Sequence, residues 1–134
     1  MSHAKDDISE LMARYCFALD DYALADLAAL FTVDGVWQTQ TATATGPAEI
    51  EALLRKVAPN PAAGAVQRHL NTSIVITLQG VDRAQARSYY TVIRPVDQVP
   101  TVSMVGDYQD EFVLTGSGWR FAKRVLVQSM RRGS

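Results

Sequence analysis

The most strand-like run of this chain is residues 67–77, with the sequence QRHLNTSIVIT. It belongs to a β-rich segment that extends over about residues 66–78 and stops at the Gln79-Gly80 turn signal. Three more β-rich runs follow at about 84–95, 101–114 and 119–129, each separated from the next by turn signals. Four long strands joined by short connections predict an antiparallel meander.

The first half of the chain has helical periodicity instead. Apolar residues recur at helical spacing over about 6–19, 23–31 and 47–58. The Asp34-Gly35 pair is a turn signal, which predicts a short strand at 36–40 after it and a loop at 41–46. Helices that precede an antiparallel sheet indicate an α+β fold, in which the sheet curls around the N-terminal helices and leaves a pocket.

Length and composition limit the class of protein. The 134 residues fit a single domain over 1–134, with 1–5 frayed and 130–134 as a tail. A net charge of −1 gives no basic surface for nucleic acid, and no apolar run could span a membrane. One cysteine suits a reducing cytoplasm. With two histidines in all, the chain predicts no Cys/His metal site, and without a Gly-rich phosphate loop it predicts no cofactor.

Three polar residues are candidates for proton chemistry. His69 is the one histidine outside the N-terminal stretch, and histidine is the residue type that titrates near neutral pH. Tyr15 lies on the apolar stripe of the first helix, where a core tyrosine is the alternative. Asp20 ends that helix and opposes its dipole, so it requires a compensating partner such as a histidine. A histidine on a strand is also commonly a structural residue.

A fourth candidate, Asp110, lies on an apolar face of the predicted sheet. A carboxyl group there is either paired, with Arg124 on the next strand as the partner, or has a raised pKa. At most one of Tyr89 and Tyr90 lines the pocket, because neighbouring strand residues point to opposite faces. We predict a pocket lined by Trp37, Leu54, Asn71, Tyr90, Met104, Tyr108 and Phe112.

Five segments resemble SnoaL-like proteins of the nuclear transport factor 2-like superfamily. They are YCFALD at 15–20, LADLAALFTVDGVW at 24–37, RHLNT at 68–72, YQDEF at 108–112 and GWRFAKR at 118–124. The resemblance covers nearly the whole chain in the expected order. It implies a cone-shaped α+β barrel, a fold that carries many different functions.

One branch resembles the chain in more detail, namely scytalone dehydratase, bile acid 7α-dehydratase and hexachlorocyclohexane dehydrochlorinase. Its histidine and aspartate match His69 and Asp20, which implies a general base oriented and charged by a carboxylate; the bile acid enzyme also has a tyrosine at the position of Tyr15. Ketosteroid isomerase is similar at Tyr15 and Asp110, but its base falls near Thr39. The second catalytic histidine of scytalone dehydratase has no match.

These observations predict a cofactor-independent, dehydratase-like lyase acting on a small hydrophobic cyclic substrate. His69 would take the proton, Asp20 would hold the ring, Tyr15 would donate a hydrogen bond, and a protonated Asp110 would assist. One alternative is an isomerase or cyclase acting on a polyketide- or steroid-like ring. Another is a non-catalytic binding module similar to oxygenase small subunits. We also expect a homodimer or homotrimer.

Overall fold

The computed structural model describes residues 3–133, in which three α-helices lie against one six-stranded sheet. The helices are α1 (Ala4–Asp20), α2 (Leu24–Ala28) and α3 (Pro47–Val57), and a short 3-10 helix follows at Pro61–Ala63. Asp6 and Asp7 lie in the first turn of α1, where their charges suit the helix dipole. Pro47 begins α3, as its missing N–H and fixed φ favour.

The strands are β1 (Phe31–Gln38), β2 (Thr43–Thr45), β3 (Arg68–Leu78), β4 (Arg83–Val96), β5 (Val99–Thr115) and β6 (Gly118–Arg131). Their order in the sheet is β2-β1-β6-β5-β4-β3. Strands β3 to β6 form the predicted antiparallel meander. The predicted α+β fold, with N-terminal helices and a curved sheet, is confirmed.

The sheet has one parallel pair that the sequence pattern did not indicate. Strand β1 runs parallel to β6, with Phe31 opposite Phe121 and Trp37 opposite Arg124. The predicted turn at Asp34-Gly35 is wrong, because both residues lie inside β1 where the pairing with β6 shifts register. A Cβ on Gly35 would lie 3.0 Å from the Phe31 Cβ, so a side chain in this irregular stretch would require its neighbours to shift.

Other boundaries also differ from prediction. The second helix ends at Ala28 instead of about residue 31, because Phe31 already pairs in the sheet. Part of the predicted loop at 41–46 is strand β2, which pairs antiparallel with β1. Regular structure reaches closer to both ends than predicted, since α1 begins at Ala4 and β6 continues to Arg131. Met1, Ser2 and Ser134 lie outside the described residues.

The core lies between α1 and the concave face of the sheet. Ile8, Met12 and Tyr15 of α1 are fully buried, and they meet buried aromatic residues from β5 and β6. Because α1 packs against β3 and β6, its last residue arrives at the start of β3. This crossing brings residues far apart in sequence to one end of the core, where the candidate site lies.

Candidate active site

Asp20 and His69 are in direct contact. The Asp20 Oδ1 lies 2.6 Å from the His69 Nδ1, and the His69 backbone N–H donates to Asp20 Oδ2 at 2.8 Å. The two side chains are 7% and 9% exposed, so little water competes for these bonds. Both oxygens of one carboxylate are therefore engaged by one residue, which fixes the plane of the imidazole ring.

This contact leaves the other ring nitrogen for chemistry. A carboxylate accepts a hydrogen bond from Nδ1–H, and the tautomer with hydrogen on Nδ1 has an unprotonated Nε2. No residue in the described part of the chain hydrogen-bonds to Nε2, and His69 lines a cavity. An imidazole that lines a cavity, is oriented at Nδ1 by a carboxylate and leaves Nε2 unbonded has the geometry of a general base.

Tyr15 lies on α1 one turn and a half before Asp20 and lines the same cavity. The Trp37 Nε1 donates a hydrogen bond to its hydroxyl oxygen at 2.9 Å. Burial raises the pKa of Tyr15 to about 12, so the phenol keeps its proton across the ordinary pH range. That proton is donated to no acceptor among the described residues. Tyr15 is thus an oriented hydrogen-bond donor.

The cavity has a volume of about 430 Å³, a size that suits a small cyclic molecule. Ten of its eighteen lining residues are apolar or aromatic, and the other eight are polar or charged. Besides His69 and Tyr15, the cavity is lined by Leu19, Trp37, Thr39, Gln40, Thr41, Leu54, Val57, Ala58, Pro59, Gln67, Tyr90, Arg94, Met104, Leu126, Gln128 and Arg131.

Four of the seven predicted wall residues line this cavity: Trp37, Leu54, Tyr90 and Met104. The other three do not. The Asn71 amide instead donates to Ser88 Oγ and to the Tyr89 carbonyl, both at 2.9 Å. Tyr108 and Phe112 lie deeper, in the aromatic core between α1 and the sheet. Strand alternation identified their face correctly, but the helix covers that part of it.

Asp110 forms a salt bridge in the core and does not line this cavity. Arg124 donates from Nε and Nη2 to its two oxygens at 2.7 and 2.8 Å, and both side chains are completely buried. Burial raises the pKa of the Asp110 carboxyl, while the Arg124 charge and hydrogen bonds oppose that rise. Because both oxygens accept hydrogen bonds from Arg124, Asp110 does not point a donor into the cavity. This corrects the predicted second donor.

Several cavity residues were not predicted from the sequence, in particular Gln67 and Arg94. Gln67 precedes His69 by two residues, so alternation could have placed it on the same face. Arg94 follows from the pairing of β3 with β4, which the sequence predicted without its register. Thr39, at the position of the isomerase base, lines the cavity with a hydroxyl and no carboxylate.

Within residues 3–133, no group of three or more His, Cys, Asp or Glu side chains could hold a metal ion. In the same range, no helix has both the length and the apolar character needed to cross a bilayer.

The sequence matches the family model of the SnoaL-like domain over residues 1–125. The protein belongs to the SnoaL-like domain family. Among curated proteins, none matches the sequence significantly. The predicted relationship to SnoaL-like and nuclear transport factor 2-like proteins is therefore confirmed at the level of family and fold.

Solved structures from Novosphingobium aromaticivorans are similar to this SnoaL-like protein. A nuclear transport factor 2-like protein with a cystatin-like fold is 30% identical, with a TM-score of 0.83, covering 98% of this chain and 84% of the other. A protein provisionally named scytalone dehydratase is 25% identical, with a TM-score of 0.79, covering 94% and 84%. The beta subunit of a provisionally named aromatic-ring-hydroxylating dioxygenase is 24% identical, with a TM-score of 0.79, covering 98% and 92%. This last likeness shows a shared fold alone.

Proposed function

We propose that this SnoaL-like protein is a cofactor-independent, dehydratase-like lyase acting on a small, largely hydrophobic cyclic substrate. The observation that carries the proposal is the His69–Asp20 pair, with its 2.6 Å contact and its cavity-facing ring. A binding module would have no need for a histidine whose ring and backbone N–H both hydrogen-bond to one buried carboxylate beside a cavity. A general base needs this arrangement, because proton transfer depends on orientation.

The reaction would proceed as an elimination. The His69 Nε2 takes a proton from the carbon next to a carbonyl group, and the C–H electron pair moves toward the carbonyl oxygen. Tyr15, whose hydroxyl proton has no acceptor among the described residues, donates a hydrogen bond to that oxygen. The electrons then form a C=C bond as the β-hydroxyl leaves. The proton held by His69 passes to the leaving oxygen, so one water is released and the base is restored.

Asp20 would act by positioning and by charge. Its carboxylate fixes the tautomer of His69 before proton transfer and stabilises the imidazolium cation after it. The dehydratase name of the N. aromaticivorans protein, at 25% identity over most of both chains, supports elimination as the type of reaction. An isomerase or cyclase would use the same base, and its product would keep the mass of the substrate.

The test is turnover by His69→Ala and Asp20→Asn variants, with β-hydroxy cyclic ketones as substrates and mass spectrometry of the products. We expect His69→Ala to lower kcat by roughly 10²–10⁴-fold, the usual contribution of a general base. His3→Ala and Asp21→Asn are matched controls, because these exposed residues lie outside the cavity. Near-full activity in both dyad variants would contradict the proposal. A product with the same mass as the substrate would show that the reaction is an isomerisation and not an elimination.

We also propose that the protein forms a homodimer or homotrimer through the outer face of the sheet. Leu70 and Tyr89 are 42% and 45% exposed, although each is a large apolar or aromatic side chain. Leu70 is next to His69 in the sequence, and Tyr89 is next to Tyr90. Because His69 and Tyr90 face the cavity and neighbouring strand residues point to opposite faces, Leu70 and Tyr89 belong to the outer face. Exposed apolar groups on neighbouring strands are characteristic of protein interfaces.

A further inference from the structure

The charge of the cavity lining is one-sided. Among its described lining residues are two arginines, Arg94 and Arg131, and neither Asp nor Glu. Asp20 lies behind the His69 ring, and both of its oxygens are taken up by His69. A neutral substrate that filled this cavity would strip water from the Arg94 guanidinium group and supply no opposite charge, which is unfavourable.

Arg94 is held in place by a neutral partner. Its Nε and Nη2 donate to the Gln67 Oε1 at 3.4 and 3.2 Å. Gln67 is only 2% exposed, so this amide forms a fixed support for the guanidinium group. The residues of the described chain include no carboxylate in ion-pair contact with Arg94. The guanidinium charge is therefore oriented but not neutralised.

Arg94 and Gln67 both keep N–H groups that are not used in the hydrogen bonds between them. Gln67 occupies the Nε–Nη2 edge of Arg94, which leaves the Nη1–Nη2 edge without an acceptor among residues 3–133. Because a guanidinium group only donates, the Gln67 oxygen must face Arg94, and the Gln67 NH₂ group is a further donor. Two parallel N–H groups on a guanidinium edge match the two oxygens of a carboxylate.

The pair also lies beside the proposed base. His69 is opposite Val92, and Arg68 is opposite Ile93. Continuing this register by one residue places Gln67 opposite Arg94, two residues along each strand from the His69–Val92 pair. Two strand residues span about 7 Å. The Arg94–Gln67 pair and His69 are therefore neighbours along the strands, and all three residues line the same cavity.

We propose that Arg94 and Gln67 form a carboxylate-binding subsite, so that the ligand is a cyclic, largely hydrophobic carboxylic acid rather than a neutral ring. The binding of a carboxylate does not depend on the proposed function; only the description of that ligand as a substrate does. The apolar walls receive the ring, and Arg94 receives the anionic end. With the carboxylate anchored there, the ring is oriented relative to His69 before any proton moves.

Binding of matched probes tests the subsite without turnover. The probes are 2-naphthoate and its neutral isostere 2-naphthamide, with benzoate and cyclohexanecarboxylate and their amides as smaller pairs. Binding is followed at pH 8 by calorimetry and by the fluorescence of Trp37, which lines the cavity. We expect at least one carboxylate to bind about tenfold or more tightly than its amide. Arg94→Gln should abolish that preference and leave amide binding within about twofold.

Two controls separate this proposal from the proposed function. Arg83→Gln removes the same charge from an exposed position on the same strand and should retain the preference. His69→Gln should also retain it, because the anion is held by Arg94 and not by the base. If His69→Ala and Asp20→Asn kept near-full turnover while Arg94→Gln still lost the carboxylate preference, the lyase proposal would fail and the subsite would stand. Equal binding of every acid and amide, no binding of any acid, or a preference that survives Arg94→Gln would overturn the subsite.

Discussion

Asp20 has an unfavourable position for a carboxylate, because it is the last residue of α1. The negative end of the helix dipole lies there, and a like charge costs about 0.3–1 kcal/mol. The two hydrogen bonds from His69 offset this cost, since bonds to a charged group contribute about 1.5–3 kcal/mol each. A neutral residue would suit the helix end better, so the carboxylate is explained by what it does to His69.

Tyr15→Phe tests the phenol as the donor of the proposed elimination. The variant keeps the buried ring and removes only the hydroxyl group, so we expect kcat to fall by roughly 10²-fold with the fold intact. Tyr22→Phe is the matched control and should leave kcat unchanged, because it removes the same hydroxyl group from a tyrosine that does not line the cavity. Unchanged kcat in Tyr15→Phe would exclude Tyr15 from the reaction.

The same variant gives a pH dependence of stability. An unfolded tyrosine ionises near pH 10, whereas burial raises the pKa of Tyr15 to about 12. Above pH 10 the unfolded state loses this proton first and is stabilised, so stability present below pH 10 is lost as pH rises toward 12. Between pH 9 and pH 11, urea unfolding should show wild type losing about 1 kcal/mol relative to Tyr15→Phe. Parallel pH curves would contradict this.

At the scale of elements, the β5–β6 pairing carries the main polar contact of the core. Asp110 is directly opposite Arg124 in this register, and the Arg124 guanidinium lies 3.6 Å from the centre of the Tyr108 ring and 4.2 Å from that of Tyr15. A cation between two aromatic rings and a carboxylate is well satisfied, although its Nη1 has no hydrogen-bond partner among the described residues. The Asp110–Arg124 pair therefore supports the Tyr15 ring by packing against it.

Asp110→Asn should be strongly destabilising. Removing one partner of a buried ion pair leaves an uncompensated charge and costs about 3–5 kcal/mol. The exposed pair Arg87–Asp107, between β4 and β5, provides the control. Asp107→Asn should cost no more than about 1 kcal/mol in the same urea titration. Equal losses in the two variants would show that burial does not decide the strength of these pairs.

Gly106 of β5 has no side chain, which leaves room for the ring of Tyr90 in the cavity wall. A Cβ there would lie 2.5 Å from the Tyr90 ring and 2.5 Å from the Val127 carbonyl oxygen. Gly106→Ala should therefore displace Tyr90 and cost about 1–3 kcal/mol, the usual range for overpacking. Gly116→Ala is the control, because nothing lies within 4 Å of its Cβ position and its φ is not positive. Equal stability of the two variants in urea would refute this packing argument.

Local pattern predicted the elements better than their long-range pairing. Alternation along β5 placed Asp110 on the inner face, because each strand residue's direction depends on its immediate neighbours. The same reasoning failed at Asp34-Gly35, where pairing with β6 overrides a local turn preference. Parallel pairing of β1 with β6 joins residues about ninety positions apart, and no local signal specifies it.

At the scale of the whole molecule, the candidate site depends on how α1 crosses the sheet. Asp20 and His69 are 49 residues apart in sequence, and their contact was suggested by family resemblance rather than by spacing. Neither composition nor periodicity could have placed Gln67 and Arg94 together, because that contact depends on the register of β3 against β4. The type of each functional residue was visible in the sequence, and its partner was visible only in the fold.

The outer face of the sheet gives the prediction that concerns the whole molecule. Light scattering coupled to size exclusion at micromolar concentration should show a dimer or trimer. Tyr89→Glu should shift it toward monomer, because this 45% exposed ring lies on the outer face and an interface there would have to strip water from the new carboxylate. Val81→Glu, at an 88% exposed position between β3 and β4, should leave the mass unchanged. A wild-type monomer would reject self-association, and an unchanged mass in Tyr89→Glu would move the interface to another surface.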